Sequence, residues 1–135
     1  MSDCIFCRII NKEIPNHTVF EDDATLAFLD IQPVNAGHTL VVPKAHYENC
    51  AQTPDDAMAA VISAAKEVAV AALRATGATA YNIGINCGAA AGQVIMHTHV
   101  HVMPRFEGDG LVHWPKREVT KEEMGIIAQK MRDNV

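Results

Sequence analysis

The stretch His97-Thr98-His99-Val100-His101-Val102-Met103 is the most informative part of this sequence. If it forms a strand, its side chains alternate between two faces, so all three histidines lie on one face. Successive histidines would then stand about 7 Å apart along the strand. Each imidazole carries a donor and an acceptor that need partners, so packing alone does not explain three in register. The pattern indicates either metal ligands or acid–base and nucleophilic groups that act on a phosphate.

Two features help to decide between metal ligands and groups that act on a phosphate: the spacing of the histidines and the loop that precedes them. The Cα atoms of His97 and His101 would lie about 13–14 Å apart, too far for the three histidines to bind one ion easily. The loop at residues 86–93 is rich in small residues, and its glycines allow backbone N–H groups to approach an oxyanion. The sequence has no Walker glycine–lysine motif and no paired aspartates near the histidines. Phosphoryl chemistry would therefore depend on histidine itself.

Composition restricts the class of protein. The chain has 135 residues, of which 49% are hydrophobic, and this predicts a single globular domain over residues 1–135. Lys and Arg number 11 against 16 Asp and Glu, which gives a formal net charge of −5. A mildly acidic chain without a basic run is a poor candidate for binding nucleic acid. Without a long apolar stretch or a recognisable signal sequence, we expect a cytoplasmic protein that does not bind a membrane.

The four cysteines are too few for a disulfide scaffold. Cys4 and Cys7 have the C-x-x-C spacing of half a zinc site. This pair alone does not decide between a metal site and two ordinary thiols that bind no metal. Cys50 and Cys87 stand alone, and we predict that both are small buried apolar residues.

Periodicity and turn signals predict an α+β fold with a mainly antiparallel sheet of about five strands. One long helix begins after the N-cap Thr53, with Pro54 at its first position, and ends at Gly77. One or two short helices accompany it: one within residues 5–14, and one opened by the capping box at 120–123 and reaching about Met131. The predicted strands are residues 18–21, 24–31, 38–43, 80–85 and 93–103.

The histidine stretch matches the signature His-φ-His-φ-His-φ-φ, in which φ is apolar, except that Thr98 occupies the first φ position. With this signature the chain resembles the histidine triad superfamily, and within it the bacterial, Hint-like or Hit-type group. Most of the chain shares the resemblance. The matching stretches are residues 4–15, 20–23, 26–33, 37–46 and 92–93.

The resemblance implies a nucleotide hydrolase or transferase with a covalent histidine–AMP intermediate. It would act at the α-phosphorus of adenosine or other purine 5′-phosphoramidates or adenylates. His99 matches the nucleophile, His101 the contact to phosphate oxygens, and His38 the residue that orients the nucleophile; His97 completes the triad. Two alternatives remain open: a dinucleoside polyphosphate hydrolase of the same fold, and a non-catalytic nucleotide-binding or scaffold protein.

The resemblance also implies where a nucleotide would bind. Asp30 matches a carboxylate that hydrogen-bonds ribose hydroxyls. Val94 stands where many relatives have Ser or Thr, which removes a hydroxyl beside the leaving group. The other implied contacts are an apolar wall for the base and a phosphate-side loop: Phe6, Ile9, Ile14, Phe28 and Ile31 for the wall, and Asn86, Gly92 and Gln93 for the loop.

Many bacterial relatives hold a structural zinc ion, and the matching residues here are Cys4, Cys7, His46 and His97. Two thiolates and two imidazoles would make a closed tetrahedral site that removes His97 from direct acid–base work. No Mg²⁺ is expected for the chemistry.

We also expect a homodimer, because a small sheet leaves an exposed edge and the alanine-rich face of residues 57–73 allows close helix contact.

Overall fold

The fold is a five-stranded sheet covered by a helix on each face, seen in a computed structural model that describes residues 3–135. All neighbouring strands are antiparallel, in the order β1-β2-β3-β5-β4. The predicted α+β class is therefore confirmed. The elements are α1 (Ile5–Ile10), β1 (Thr18–Glu21), β2 (Thr25–Leu29), β3 (Thr39–Pro43), α2 (Asp55–Thr76), β4 (Ala80–Ile85), β5 (Val100–Arg105) and α3 (Lys121–Arg132).

The two faces of the sheet build two hydrophobic clusters. Alternation along β2 sends Ala27 to the α2 side and both Leu26 and Phe28 to the α1 side. On one side α2 contributes a stripe of small and β-branched residues; on the other, α1 contributes Phe6 and Ile9. The histidines lie on the α1 side, so this short helix forms one wall of the candidate site.

The long helix α2 begins later than predicted. Pro54 is its N-cap, with extended backbone at φ −57° and ψ 150°, and it is not the first helical residue. Thr53 does not cap the helix, because its buried hydroxyl donates to the carbonyl of Asn49 at 2.8 Å and lies 2.7 Å from the hydroxyl of Thr98. The predicted end is confirmed: Gly77 has φ 77° and donates its N–H to the carbonyl of Leu73.

The last strand also differs from its predicted bounds of 93–103. β5 starts only at Val100, and the segment before it pairs irregularly, with the Thr98 N–H donating to the carbonyl of Tyr47 at 2.8 Å. Pro104 does not end the strand. The ladder with β3 covers only Val100–Val102, so the missing N–H of Pro104 costs β3 no hydrogen bond.

Smaller expectations have mixed outcomes. The N-cap half of the predicted capping box is confirmed, since the Thr120 hydroxyl accepts the N–H of Glu123 at 3.1 Å; the return bond to the Glu123 side chain does not form among the described residues. Cys87 is exposed and Cys50 half-buried, so the prediction that both are buried is wrong. Within residues 3–135, no helix is both long enough and apolar enough to cross a membrane.

Candidate active site

The three histidines of the stretch do share one face, although only His101 lies within the strand β5. The rings of His99 and His101 are 5.0 Å apart between centroids. Phe6 of α1 contacts His99 edge-on, with centroids 5.1 Å apart, and also approaches His97 at 5.9 Å. The face is therefore preserved through the irregular segment that precedes the strand.

A backbone contact fixes the proton on His99. Its Nδ1 lies 2.7 Å from the carbonyl oxygen of His97, and a carbonyl can only accept a hydrogen bond. Nδ1 therefore carries the proton, and Nε2 keeps its lone pair. Burial lowers the pKa of His99, although the contact with His97 and the charge of Asp30 oppose this shift. At neutral pH the ring is uncharged, with a nucleophilic nitrogen available.

His38 and His101 form a relay whose protons are fixed in the same way. The Val34 N–H donates to Nδ1 of His38 at 3.0 Å, so the proton of His38 lies on Nε2. That nitrogen is 3.0 Å from Nδ1 of His101, which must accept, so His101 carries its own proton on Nε2. Burial lowers the pKa of both rings, and that of His101 falls to about 4. The relay is neutral at pH 7 and leaves one N–H for a ligand.

The relay is not a metal site, although Asp30, His38 and His101 are close enough to share an ion. A metal would need a lone pair on Nε2 of His38. Because the Val34 N–H holds the lone pair of Nδ1, Nε2 keeps the proton. Asp30 Oδ2 lies 3.6 Å from this nitrogen, so its negative charge faces the relay and the pocket.

A pocket of about 440 Å³ opens beside His99 and His101. Its lining includes the hydrophobic cluster of Phe6, Phe28 and their aliphatic neighbours, together with the polar residues Asp30 and Asn86. Leu40 also lines the pocket, although we did not predict it from the sequence. It pairs with Phe28 across β2 and β3, so alternation along the two strands could have placed it on the same face. The other lining residues that were not predicted are Ile5, Pro15, Asn16, Leu29, Gln32 and Ile95. Of the predicted substrate-binding residues, those that line the pocket are Phe6, Ile9, Ile14, Phe28, Asp30, Ile31, Asn86, Gly92 and Val94.

Gln93 lies behind the pocket and not in its lining. Its buried side chain accepts the Gly88 N–H at 2.9 Å and donates to the carbonyls of Glu48 and Ile95. The loop before it is also bonded to itself, because the N–H groups of Ala91, Gly92 and Gln93 donate within residues 88–93. These three N–H groups are therefore paired within the loop, and the approach of other backbone N–H groups of residues 86–93 to an oxyanion stays a prediction. The hydrogen-bonded loop contributes Asn86 and Gly92 to the lining of the pocket, and Gly92 adopts a φ of 95° that favours glycine.

The four predicted metal ligands come together at the N-terminus of α1. Nδ1 of His97 lies 3.2 Å from Nδ1 of His46, 3.5 Å from Sγ of Cys4 and 3.6 Å from Sγ of Cys7. Sγ of Cys7 is 3.3 Å from Nδ1 of His46. A tetrahedral zinc site with usual bond lengths has edges of about 3.3 to 3.8 Å between its ligand atoms. The donor set and these distances therefore suit a tetrahedral metal ion.

His97 connects this cluster to the pocket. Its Nε2 donates to the carbonyl of Pro43 at 2.8 Å, so Nδ1 is left with a lone pair towards the two cysteines. Its own carbonyl holds the proton of His99. The residue is fully buried. Its ring nitrogen Nδ1 faces the metal-ligand cluster, and its backbone carbonyl contacts the candidate nucleophile His99.

The fold and the site define a protein with a pocket beside a neutral, oriented histidine. A family model described as the HIT domain matches residues 11–108. An uncharacterised HIT-like protein of Methanocaldococcus jannaschii is 53% identical over 109 residues, which cover 81% of this chain and 84% of that protein. Adenylylsulfatase HINT3 of Arabidopsis thaliana is 42% identical over 125 residues, 93% of this chain and 62% of that protein.

Among solved structures, a Zn-bound histidine triad family protein from Mycobacterium smegmatis matches with a TM-score of 0.80 and 36% identity, over 98% of this chain and 97% of that one. The chain belongs to the HIT family. This family is part of a superfamily of nucleotide-binding hydrolases and transferases.

The neutral relay predicts a loss of stability in acid. In the unfolded chain a histidine takes up its proton near pH 6.5, whereas folded His101 does so only at about 4, and the pKa of His38 is lowered too. The unfolded state therefore binds more protons between these values, and the free energy of unfolding falls as the pH drops through that window. For His101 we expect a loss of about 2 kcal/mol, after discounting for its partial exposure.

Urea unfolding at pH 7.5 and pH 4.5 measures this loss. His101→Gln should lose less stability than the wild type over the same interval, while the exposed His113→Gln should lose as much as the wild type. Equal losses in both variants would contradict the assignment to His101.

Proposed function

We propose that the chain is a nucleotide hydrolase or transferase that acts at the α-phosphorus of purine 5′-phosphoramidates or adenylates, through a covalent bond between His99 and the nucleotide. The observation that carries the proposal is the Nδ1–H of His99 held by the carbonyl of His97 at 2.7 Å. It leaves Nε2 unprotonated beside a pocket with an apolar side for a base. Asp30 lines the same pocket, and its carboxylate would accept hydrogen bonds from ribose hydroxyls.

The chemistry would proceed in two displacements. In the first, the Nε2 lone pair of His99 forms a bond to phosphorus, and the bond from phosphorus to the leaving group breaks. The Nε2–H of His101 donates a hydrogen bond to the leaving nitrogen or oxygen, which departs with a proton from solvent, and His38 holds the His101 ring in that tautomer. In the second, water attacks phosphorus, the bond to His99 breaks, and the proton of the water returns to solvent. The products are the nucleoside monophosphate and the free amine, or the free acid where an oxygen leaves.

The charges at the pocket favour this substrate class over dinucleoside polyphosphates. Among the described residues that line it, Asp30 is the one acidic group, and no Lys or Arg is present. The lowered pKa values of His99 and His101 leave both rings neutral at pH 7. A chain of additional phosphates would therefore meet no cation from this lining. The Arabidopsis relative is named for acting on an adenylyl sulfate, a mixed anhydride at the same kind of phosphorus.

A side-by-side assay of an adenosine 5′-phosphoramidate and a diadenosine polyphosphate tests the proposal. We expect kcat/KM to be about 10-fold or more higher for the phosphoramidate, as a difference of about 1.4 kcal/mol would produce. Brief treatment with EDTA should leave turnover unchanged, because His99 needs no free divalent ion. Higher turnover of the polyphosphate would reverse the assignment, and nucleotide binding without turnover of either would support the scaffold alternative.

We further propose that Cys4, Cys7, His46 and His97 hold a structural zinc ion. The distances between the donor atoms support this, and so does the Zn-bound relative from Mycobacterium smegmatis. All four positions would be taken by protein, so the ion would have no open site for substrate. It would connect α1, which carries Phe6, to the segment that carries His99.

We also propose a homodimer formed through β4. This strand pairs with β5 on one side only, and Tyr81 and Ile83 are partly exposed along it. Helix packing through the alanine-rich face of residues 57–73, the other reason given by the sequence, stays a prediction for the alanines of that face that are not buried, such as Ala57, Ala60 and Ala71. Ala64, Ala65 and Ala69 of α2 are buried against the sheet and are not available to a second helix.

Light scattering should give twice the chain mass of 14.6 kDa. Ile83→Lys on the open edge should yield monomer, because it places charge in a strand-pairing interface. Val19→Lys, on the opposite edge strand β1, is the matched control and should remain dimeric. A monomeric wild type, or a monomer produced by Val19→Lys alone, would contradict an interface at β4.

A further inference from the structure

The relay depends on a loop that ties it to a distant part of the chain. The Val34 N–H that fixes the proton of His38 belongs to the β2–β3 loop, residues 30–38. This loop is closed by backbone hydrogen bonds from Asp30 N–H to the carbonyl of His38 and from His38 N–H to the carbonyl of Asn35. The direction of the Val34 N–H therefore depends on where this loop is held.

Asn35 holds the loop from outside. Its side-chain Nδ2 donates to the carbonyl of Pro104 at 2.9 Å and to Oδ2 of Asp109 at 3.1 Å. Since both partners are acceptors, the amide can have only one orientation. Asn35 thus connects the backbone of His38 with the end of β5. Gly37 of the same loop packs closely against the end of α2 and against Pro104. A Cβ at this position would lie 2.9 Å from Cγ2 of Thr76 and 3.2 Å from Cγ of Pro104.

Asp109 is a fixed acceptor for this amide. Arg105 donates to it from Nε at 2.8 Å and from Nη2 at 3.1 Å, and the backbone N–H groups of Phe106 and Leu111 donate as well. The guanidinium of Arg105 is the largest cause that holds the pKa of this carboxyl well below its usual range. The side chain is only 7% exposed. Asn35, Arg105 and Asp109 together are called the loop clamp below.

We propose that the loop clamp is a positioning device for the proposed reaction: through Asn35 it holds the Val34 N–H on His38 and so keeps the His38–His101 relay in its productive tautomer. None of the three residues lines the pocket, and among the described residues none of their side chains hydrogen-bonds to a histidine ring. They act on the chemistry through the backbone of the loop. The inference rests on the proposed function for its kinetic consequence, but its structural part concerns His38 alone.

Asn35→Ala tests the clamp, because it removes both outer hydrogen bonds and leaves the pocket residues intact. Asn82→Ala is the matched control: Asn82 accepts from Nη1 of Arg105 at 2.8 Å but does not contact the loop. We expect Asn35→Ala to lower kcat for the phosphoramidate by about 10-fold or more, with KM within about twofold, and Asn82→Ala to change neither. Asp109→Asn gives a second approach from the other end if Asn35→Ala folds poorly.

The direct readout is the ¹⁵N spectrum of the histidine ring, which distinguishes protonated from unprotonated nitrogens. In the wild type and in Asn82→Ala, His38 should show a single form with the proton on Nε2. In Asn35→Ala it should show a mixture in which Nδ1 is partly protonated. An unchanged His38 signal, or a changed signal with unchanged kcat, overturns the proposal, because the clamp then contributes only to stability. If the wild type turns over no nucleotide, the proposed function fails, while the spectrum still decides whether the clamp sets the tautomer.

Discussion

His99→Asn should lower kcat by about 10³-fold or more, while the affinity for AMP changes only a few-fold. Asparagine retains a polar group near the His97 carbonyl but has no ring nitrogen to attack phosphorus. The groups proposed to bind the nucleotide remain, because Asp30 and the apolar side of the pocket are untouched. Turnover measured with an adenosine phosphoramidate, and AMP affinity measured by calorimetry, separate the two effects.

The matched control is His113→Asn. His113 is exposed, lies outside the pocket and should be dispensable, so this variant should keep wild-type turnover. Turnover of His99→Asn close to that of the wild type would mean that water attacks phosphorus directly. Loss of AMP binding together with turnover would show that His99 also holds the pocket together.

Cys4→Ser should remove the bound zinc and lower the free energy of unfolding by about 4 kcal/mol or more. Metal binding contributes folding free energy at a site that the unfolded chain does not preform. The loss should also reach the pocket, because Phe6 follows Cys4 by two residues and contacts His99. Elemental analysis and urea unfolding measure the two effects.

Cys87→Ser is the control, since Cys87 is exposed and lies outside the cluster. It should keep about one zinc ion per chain and wild-type stability. Protein purified without added metal that contains well under one zinc ion per chain would contradict the structural site. Cys4 and Cys7 would then be two ordinary thiols beside His97.

Much of the architecture could be predicted from local patterns. Alternation in β2 placed Leu26 and Phe28 together, and the period of α2 identified its buried stripe. The start of α2 could not be predicted in the same way. Thr53 has the residue type of an N-cap, but its hydroxyl is used by Thr98, a residue 45 positions away. Tertiary contacts of this kind override local propensity.

The site was predictable in its parts but not in its connections. The spacing of the histidines indicated a shared face, and the resemblance named the four cluster residues that the structure brings together. Which ring nitrogen carries each proton depends on backbone atoms such as the Val34 N–H and the His97 carbonyl, which no side-chain pattern reveals. The link from Asn35 to Asp109 spans 74 residues and follows only from the fold.

The central claim is that the nucleotide becomes bonded to His99 during turnover. Rapid mixing with an adenosine phosphoramidate, a quench at alkaline pH and mass spectrometry of the peptide that holds His97 and His99 test it most directly. The quench must avoid acid, because a phosphorus–nitrogen bond of this kind is labile there. The account predicts one AMP adduct, located on His99 and absent from His99→Asn. Full turnover in single-turnover conditions with no adduct at any time, or an adduct located on His101, would contradict it.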